Sequence, residues 1–337
     1  MNRILVLISV ILFSVYHTEQ VHFLSDNYIE KLNKKISTWK AGRNFPADTS
    51  LLHLKKLLGS KKNDPGDYDD APIKTDDPAY ANITSIPETF DAREQWKYCE
   101  NIGHVPDQGN CGSCWAVSTT SAFADRMCIA TKGKFNHLLS AEELAFCCVK
   151  CGDGCNGGIP SKSWEYFSTH GVVTGGDYDT KEGCQPYKVA PCKIDEKGYN
   201  PCNDKPRERN HKCIKQCYGN TTLDYKKDHV YTKNFYYLSP EIIQKDIMVH
   251  GPIEATFLVF DDFFNYKSGV YVRSSTSLMG GHGVKLIGWG VEEGVPYWLL
   301  VNSWNTSWGD KGLFKIKRGS NECGIEAENT AGEPLVQ

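Results

Sequence analysis

The octet Gln108-Gly109-Asn110-Cys111-Gly112-Ser113-Cys114-Trp115 carries residue types suited to covalent attack on a carbonyl. The thiolate, not the thiol, is the nucleophile, so a reacting cysteine needs a depressed pKa. A helix that starts at Cys114 supplies part of this through the partial positive charge of its N-terminal end. The backbone N–H of Cys114 and the side-chain amide of Gln108, six residues upstream, are candidate donors to an oxyanion. Downstream, Gly280-Gly281-His282-Gly283-Val284 sets a histidine between glycines at the head of an apolar strand, and Asn302-Ser303-Trp304 closes a later one. A cysteine–histidine pair needs a third group to orient the imidazole, and an asparagine does this through a ring N–H. Each residue also has a plainer reading, with Cys114 as one more disulfide partner and His282 as a structural histidine.

These residues sit in a chain of 337 residues, long enough for two domains. Fourteen cysteines point to an oxidising compartment. Asn2 and Arg3 precede an apolar run from Ile4 to Tyr16, and the chain turns polar at His17, so residues 1–17 read as a signal peptide. The run is shorter than the ~20 residues of a membrane span, and no other stretch is a candidate. A net charge of -3 without a basic cluster gives no reason to expect a nucleic-acid partner. No cysteine precedes Cys99, so residues 18–85 form a separate cysteine-free segment ahead of a body that starts near Ile86.

Residues 22–59 read as helical, with Leu24, Tyr28, Ile29, Leu32, Ile36 and Trp39 at three- and four-residue steps. A second periodic stretch, Leu51 to Leu58, ends at the C-cap candidate Gly59. Residues 60–85 read as an extended linker rich in Lys, Asp, Pro and Gly. In the body, residues 112–130 and 140–148 read as helices, the latter opened by a Ser140–Glu143 capping box. Residues 175–230 read as long stapled loops. Strands are expected at Ile253–Phe260, Gly269–Arg273, Gly283–Trp289, Tyr297–Asn302 and Gly312–Lys317. Helices first and strands later predict an α+β fold of two packed halves.

QGNCGSCW, with a histidine and an asparagine far downstream, resembles the signature of the papain/cathepsin cysteine peptidases. The resemblance is most specific to cathepsin B: FDAREQW at Phe90 to Trp96, CGDGCNGG at Cys151 to Gly158, GGH at Gly280 to His282, GWGVEEGVPYWL at Gly288 to Leu299 and NSWNTSWGD at Asn302 to Asp310 are all similar to it. WKAGRNF at Trp39 to Phe45 extends it into the cysteine-free segment, and it runs from about Leu24 to Gly332. It implies a papain-like fold with a cleft between a helical left domain and a β-rich right domain. Residues 18–85 would be an inhibitory propeptide and 86–337 the peptidase domain. It implies Cys114 as nucleophile, His282 as base then acid, Asn302 as orienter, Gln108 as oxyanion donor, and Trp304 as a shield over the Asn–His bond. Substrate would lie along Gly157, Gly158, Ile159, Pro160, Thr256 and Gly283, with Glu328 at the bottom of the second pocket. Glu328 reads equally as a solvated carboxylate. The implied disulfides are Cys99–Cys128, Cys111–Cys155, Cys147–Cys213, Cys148–Cys151, Cys184–Cys217 and Cys192–Cys202, leaving Cys323 free. Cys147, Cys148, Cys151 and Cys155 also have spacing that binds zinc, although the leader favours disulfides. The expected function is a lysosomal or secreted cysteine peptidase made as a zymogen, acting on peptides and proteins without a cofactor. Its expected partners are its own propeptide and cystatin-type inhibitors. The alternative is an inactive homologue acting as a binding protein.

The chain departs from cathepsin B in the equivalent of the occluding loop, residues 192–202. Ile194 and Asp195 replace the histidine pair that holds a substrate's C-terminal carboxylate, and Tyr199 and Ser307 replace an Arg–Asp anchor. Lys193, Lys197 and His211 are the candidate substitutes for the clamp. An endopeptidase with little dipeptide-trimming activity is therefore expected. Asn82 and Asn220 head glycosylation triplets, and so does Asn305, which is expected to stay unmodified among the tryptophans.

Overall fold

The computed structural model describes residues 22–62, 71–193, 200, 202–203 and 205–336. The leader and Ile194, Asp195, Lys197 and Tyr199 lie outside the described residues. Helices α1 (Asp26–Lys35), α2 (Leu51–Lys56), α3 (Ala92–Gln95), α4 (Cys114–Ala130), α5 (Ala141–Cys147), α6 (Pro160–Thr169) and α7 (Ile243–His250) surround a ten-stranded sheet. Its strands are β1 (Trp39–Ala41), β2 (Ile73–Lys74), β3 (Phe90–Asp91), β4 (Tyr236–Leu238), β5 (Ile253–Phe260), β6 (Tyr266–Tyr271), β7 (Leu278–Glu292), β8 (Val295–Val301), β9 (Leu313–Lys317) and β10 (Glu328–Ala331). They run in the order β1-β6-β9-β8-β7-β5-β10-β4-β2, with β3 added against β7. The architecture is the α+β one expected: α4, α5 and α6 form the helical half, and the sheet forms the other. Among the described residues, no helix is long and apolar enough to cross a membrane.

The segment before Ile86 differs from the helical reading. Helix α1 stops at Lys35, and Ile36 turns extended. Trp39 keeps the helical spacing but lies on β1, where it is fully buried against Tyr266 and Tyr271. Antiparallel pairing with β6 and the burial of one large indole outweigh the local period. Residues 71–82 are not a bare linker either. Strand β2 pairs in parallel with β4, and Tyr80 is 4% exposed in the main core. That core is continuous from the early segment, through Leu24, Trp39, Leu54 and Leu57, into the body.

The Ser140 side chain caps α5 by accepting from the Glu143 amide at 2.9 Å. The reciprocal half of a capping box is absent. The Glu143 carboxylate accepts instead from the Val173 amide at 2.8 Å and from the Tyr225 hydroxyl, while the Ser140 amide donates to Val173. Six disulfides join Cys99–Cys128, Cys111–Cys155, Cys147–Cys213, Cys148–Cys151, Cys184–Cys217 and Cys192–Cys202. Cys147, Cys148, Cys151 and Cys155 are all in these bonds, so they offer no thiolates to zinc. Cys114 and Cys323 carry free thiols.

Candidate active site

Cys114 is the first residue of α4 and is fully buried. The helix start is pressed against β7 at Gly283, where an added Cβ would lie 2.8 Å from the Ser118 hydroxyl and 3.3 Å from the Cys114 carbonyl. Only glycine lets the helix end approach the strand this closely. His282, the preceding residue on β7, sits opposite Phe257 of β5 in the antiparallel register. Strand β8 lies on the other side of β7 and ends at Val301, which places Asn302 beside the imidazole. The ring Nε2–H of His282 donates to Oδ1 of Asn302 at 2.7 Å. Nδ1 is then the lone-pair nitrogen, and it has no hydrogen-bond partner among the described residues. Trp304 lies over the pair, its ring 4.7 Å from the imidazole, and Trp308 packs edge-on behind it at 5.2 Å. Water is thus kept from the Asn302–His282 bond, and the imidazole is held in one tautomer.

Gln108 is fixed by Ser303, whose hydroxyl donates to Oε1 at 2.6 Å. Its Nε2–H group is therefore turned toward the cleft, where it donates to the Leu57 carbonyl at 2.9 Å and the Cys111 carbonyl at 2.6 Å. The Gly59 amide donates to Sγ of Cys114 at 3.2 Å. A Cβ at Gly59 would stand 1.7 Å from the Gly112 carbonyl, so a side chain is excluded here. Beyond it the chain runs through the substrate-side residues. The Gly158 amide donates to Gly59, the Lys61 amide to Gly158 and the Ser60 amide to Gly281, and the Ser60 and Thr256 hydroxyls are 2.7 Å apart. Lys62 ends the run in an ion pair with Glu328 at 2.9 Å, in a small pocket with Ile159, Pro160 and Thr256. Gly157 abuts the Gly59 carbonyl from the other side.

Residues 86–333 match the model of the papain family cysteine proteases, and residues 24–64 match that of the peptidase family C1 propeptide. The chain belongs to the papain family of cysteine proteases. It is 40% identical over 327 residues to a cathepsin B-like cysteine proteinase of Caenorhabditis elegans, covering 94% of this chain and 92% of that one. A cathepsin B-like cysteine proteinase of Schistosoma japonicum is 40% identical over 324 residues, with the same coverage. Among solved structures, procathepsin B S9 from Trypanosoma congolense matches with a TM-score of 0.81 at 31% identity, covering 94% of this chain and all of that one. Procathepsin L2 of Tenebrio molitor, at 23% identity and a TM-score of 0.66, shares the fold. The protein is thus a cathepsin B-like cysteine peptidase of the papain family, made as a zymogen with a propeptide.

The papain-family frame explains one departure from expectation. Cys114 does not have a depressed pKa in this state. Burial pushes its thiol up to about 11, against the opposing hydrogen bonds from the amides of Gly283, Gly59, Ser60 and Trp115. Burial likewise pushes His282 down to about 4, against the Asn302 hydrogen bond. Removing ions from water under the propeptide outweighs the helix end.

Sequence reasoning missed Glu254, a β5 carboxyl buried directly behind the Lys62–Glu328 pair. It accepts from the Thr256 hydroxyl at 2.8 Å and the Thr330 hydroxyl at 2.7 Å, and burial raises it to about 8. An acid inside the apolar run of β5 was the available signal. Of the substitutes for a carboxylate clamp, His211 is engaged elsewhere, 2.6 Å from Glu142 and with its ring packed at a tilt on Phe146. Asn305, the doubtful glycosylation acceptor, is tied down by donating to Asp107 at 3.0 Å. Asn82 is exposed and Asn220 half-buried.

Proposed function

We propose that Cys114, His282, Asn302 and Gln108 hydrolyse peptide bonds and that the enzyme is mainly an endopeptidase, held inactive by residues 18–85 until cleavage near Ile86. The observation that carries this is the course of the propeptide: the Gly59 amide rests on the Cys114 sulfur while the Leu57 carbonyl occupies the Gln108 donor. A peptide lying in the same place offers a carbonyl to both groups. The thiolate then attacks the carbonyl carbon, and Gln108 and the Cys114 amide hold the oxyanion. His282 gives its proton to the leaving amine as the C–N bond breaks. A water, losing its proton to the same imidazole, frees the acyl group and restores the thiol. Glu328, paired with Lys62 in the zymogen, favours a basic side chain two residues before the cut. The apolar leader in the sequence and the six disulfides support a secretory route toward lysosome or exterior as part of this reading, which also takes Asn82 and Asn220 as glycan acceptors and cystatin-type inhibitors as partners.

Endopeptidase preference follows from the missing clamp. Ile194 carries no charge, Asp195 repels a carboxylate, and His211 is occupied by Glu142. An opposite charge at close range is worth on the order of 1–4 kcal/mol, so its loss removes at least about tenfold of preference for a free C-terminus. The test compares kcat/KM on two matched peptides, one with a free carboxylate two residues past the cut and one amidated. Near-equal values are expected, and a strong preference for the free acid overturns the endopeptidase reading.

A further inference from the structure

The two family models end at residue 64 and begin at residue 86, and the stretch between them is docked with more chemistry than a tether needs. Strand β2 extends the sheet beyond β4, with the Tyr237 amide donating to the Pro72 carbonyl at 2.9 Å and the Ser239 amide to Lys74 at 3.0 Å. The Lys74 ammonium lies 4.2 Å over the Tyr236 ring, 3.2 Å from Glu333 and 3.9 Å from the fully buried Asp246, and is paired with Asp77. Six residues on, the Tyr80 hydroxyl donates to Asp246 at 2.7 Å. Asp246 is itself held by Arg126 and by the Tyr236 hydroxyl at 2.9 Å, both from the peptidase domain. His250 closes the socket, with Nε2 3.3 Å from Asp77. The hydrogen bonds and ion pairs of the Lys74 cage are made without Leu57–Lys62, although Tyr237 of β4 also lines the small pocket of Lys61 and Lys62.

We infer that β4, Asp246, Glu333 and Tyr236 form a peptide-binding exosite outside the cleft. Its ligand is an extended segment carrying a lysine and, six residues later, a tyrosine, and residues 71–85 of this chain are its occupant even after they are cut free. The socket is a β-strand addition site joined to a cation–π and carboxylate cage. Backbone pairing gives affinity, and the lysine and tyrosine give selectivity. The cage lies on the peptidase side, since Arg126, Tyr236, Asp246 and Glu333 all belong to it. The inference rests on the reading that the mature enzyme begins near Ile86, and its test reads binding alone.

The experiment titrates a fluorescent synthetic peptide of residues 71–85 against mature enzyme whose Cys114 has been blocked by an epoxide inhibitor, following anisotropy. Blocking fills the cleft and prevents digestion of the probe. Saturable binding is expected, with at least tenfold weaker affinity for the Lys74→Ala peptide and a smaller loss for Tyr80→Phe. These changes lie in the probe, so the enzyme's folding is not at issue. Binding no tighter than that of a scrambled peptide, or equal binding by the Lys74→Ala peptide, overturns the exosite. Failure of peptidase activity or a different N-terminus would be read separately, by turnover and by end-group sequencing.

Discussion

With its thiol near pKa 11 and its imidazole near 4, the covered enzyme holds Cys114 and His282 as a neutral pair across the whole physiological range. Both shifts come first from burial, and the Gly59 amide lies against the Cys114 sulfur, so uncovering the cleft is expected to move the thiol down and the imidazole up, toward the ion pair that catalysis needs. Alkylation of Cys114 at pH 6 is therefore expected to be at least about a hundredfold faster in the mature enzyme than in the zymogen, as followed by mass spectrometry. Equal rates would mean the propeptide does not set the thiol's state. Cys114→Ala and His282→Ala should each lower kcat by more than about 10⁴-fold with the fold intact. Asn302→Ala should lose less, about 10²–10³-fold, because it orients rather than reacts. Glu328→Gln should lower kcat/KM for substrates with arginine two residues before the cut by about tenfold and leave phenylalanine substrates unchanged. Cys114, His282, Asn302 and Gln108 were legible because a glycine-bracketed histidine and a signature octet are rare patterns. Glu254 was not, since only one of its hydroxyl partners, Thr256, is its neighbour on β5, while the other, Thr330, is 76 residues away in sequence.

The elements of the peptidase domain follow from their patterns more faithfully than those of the propeptide. Strands β5, β7, β8 and β9 and helices α4 and α5 carry apolar periods that their own neighbours satisfy, and they fall within a few residues of expectation or extend it, as β7 does at both ends. Helix α6 and strands β4 and β10 were not foreseen, because their partners come from distant chain. The propeptide was misread for a related reason: its secondary structure is imposed by the surface it covers. Trp39 belongs to a helical period in sequence and to a strand in space. That indole makes a direct prediction. Trp39→Ala removes a fully buried side chain wedged between Tyr266 and Tyr271, a loss of about 3–5 kcal/mol of docking. The variant zymogen should show peptidase activity at neutral pH without processing. An assay that finds it as silent as the parent would show that the cleft stretch alone holds the propeptide.

Across the whole molecule, acid is expected to act on the closed form chiefly through buried histidines. Asp26 is paired with Arg43 in an exposed contact of small worth. His53 of α2 is buried with neither ring nitrogen hydrogen-bonded among the described residues, and burial, aided by Lys56, lowers it to about 4. A histidine whose folded pKa lies below its free value of 6.5 stabilises the closed form above that pH, and this is lost as pH falls from 6.5 toward 4. At pH 5 the penalty is on the order of 2 kcal/mol for His53, with His282 acting in the same direction. His53→Leu should therefore shift the pH midpoint of autoactivation downward by several tenths of a unit, and an unchanged midpoint would remove His53 from the switch. The carboxylates of the Lys74 socket act in the same direction over a lower pH window. Burial would raise Asp77 and Glu333, but their hydrogen bonds and the ammonium outweigh it and bring both to about 2. Carboxylates held that low contribute fully above their free values and lose this as pH falls from about 4.5 toward 2, so their part of the contact persists through the range in which the His53 contribution is lost. Strands β1 and β2 have a last consequence, because they are the two outer strands of the sheet and both lie ahead of Ile86. The zymogen carries its own edge guards. A mature enzyme that has lost β1 bares the flank of β6, a place where sheets from separate molecules add to one another, while β4 stays covered for as long as residues 71–85 remain bound, so self-association measured by light scattering should rise on maturation and rise further once residues 71–85 are removed.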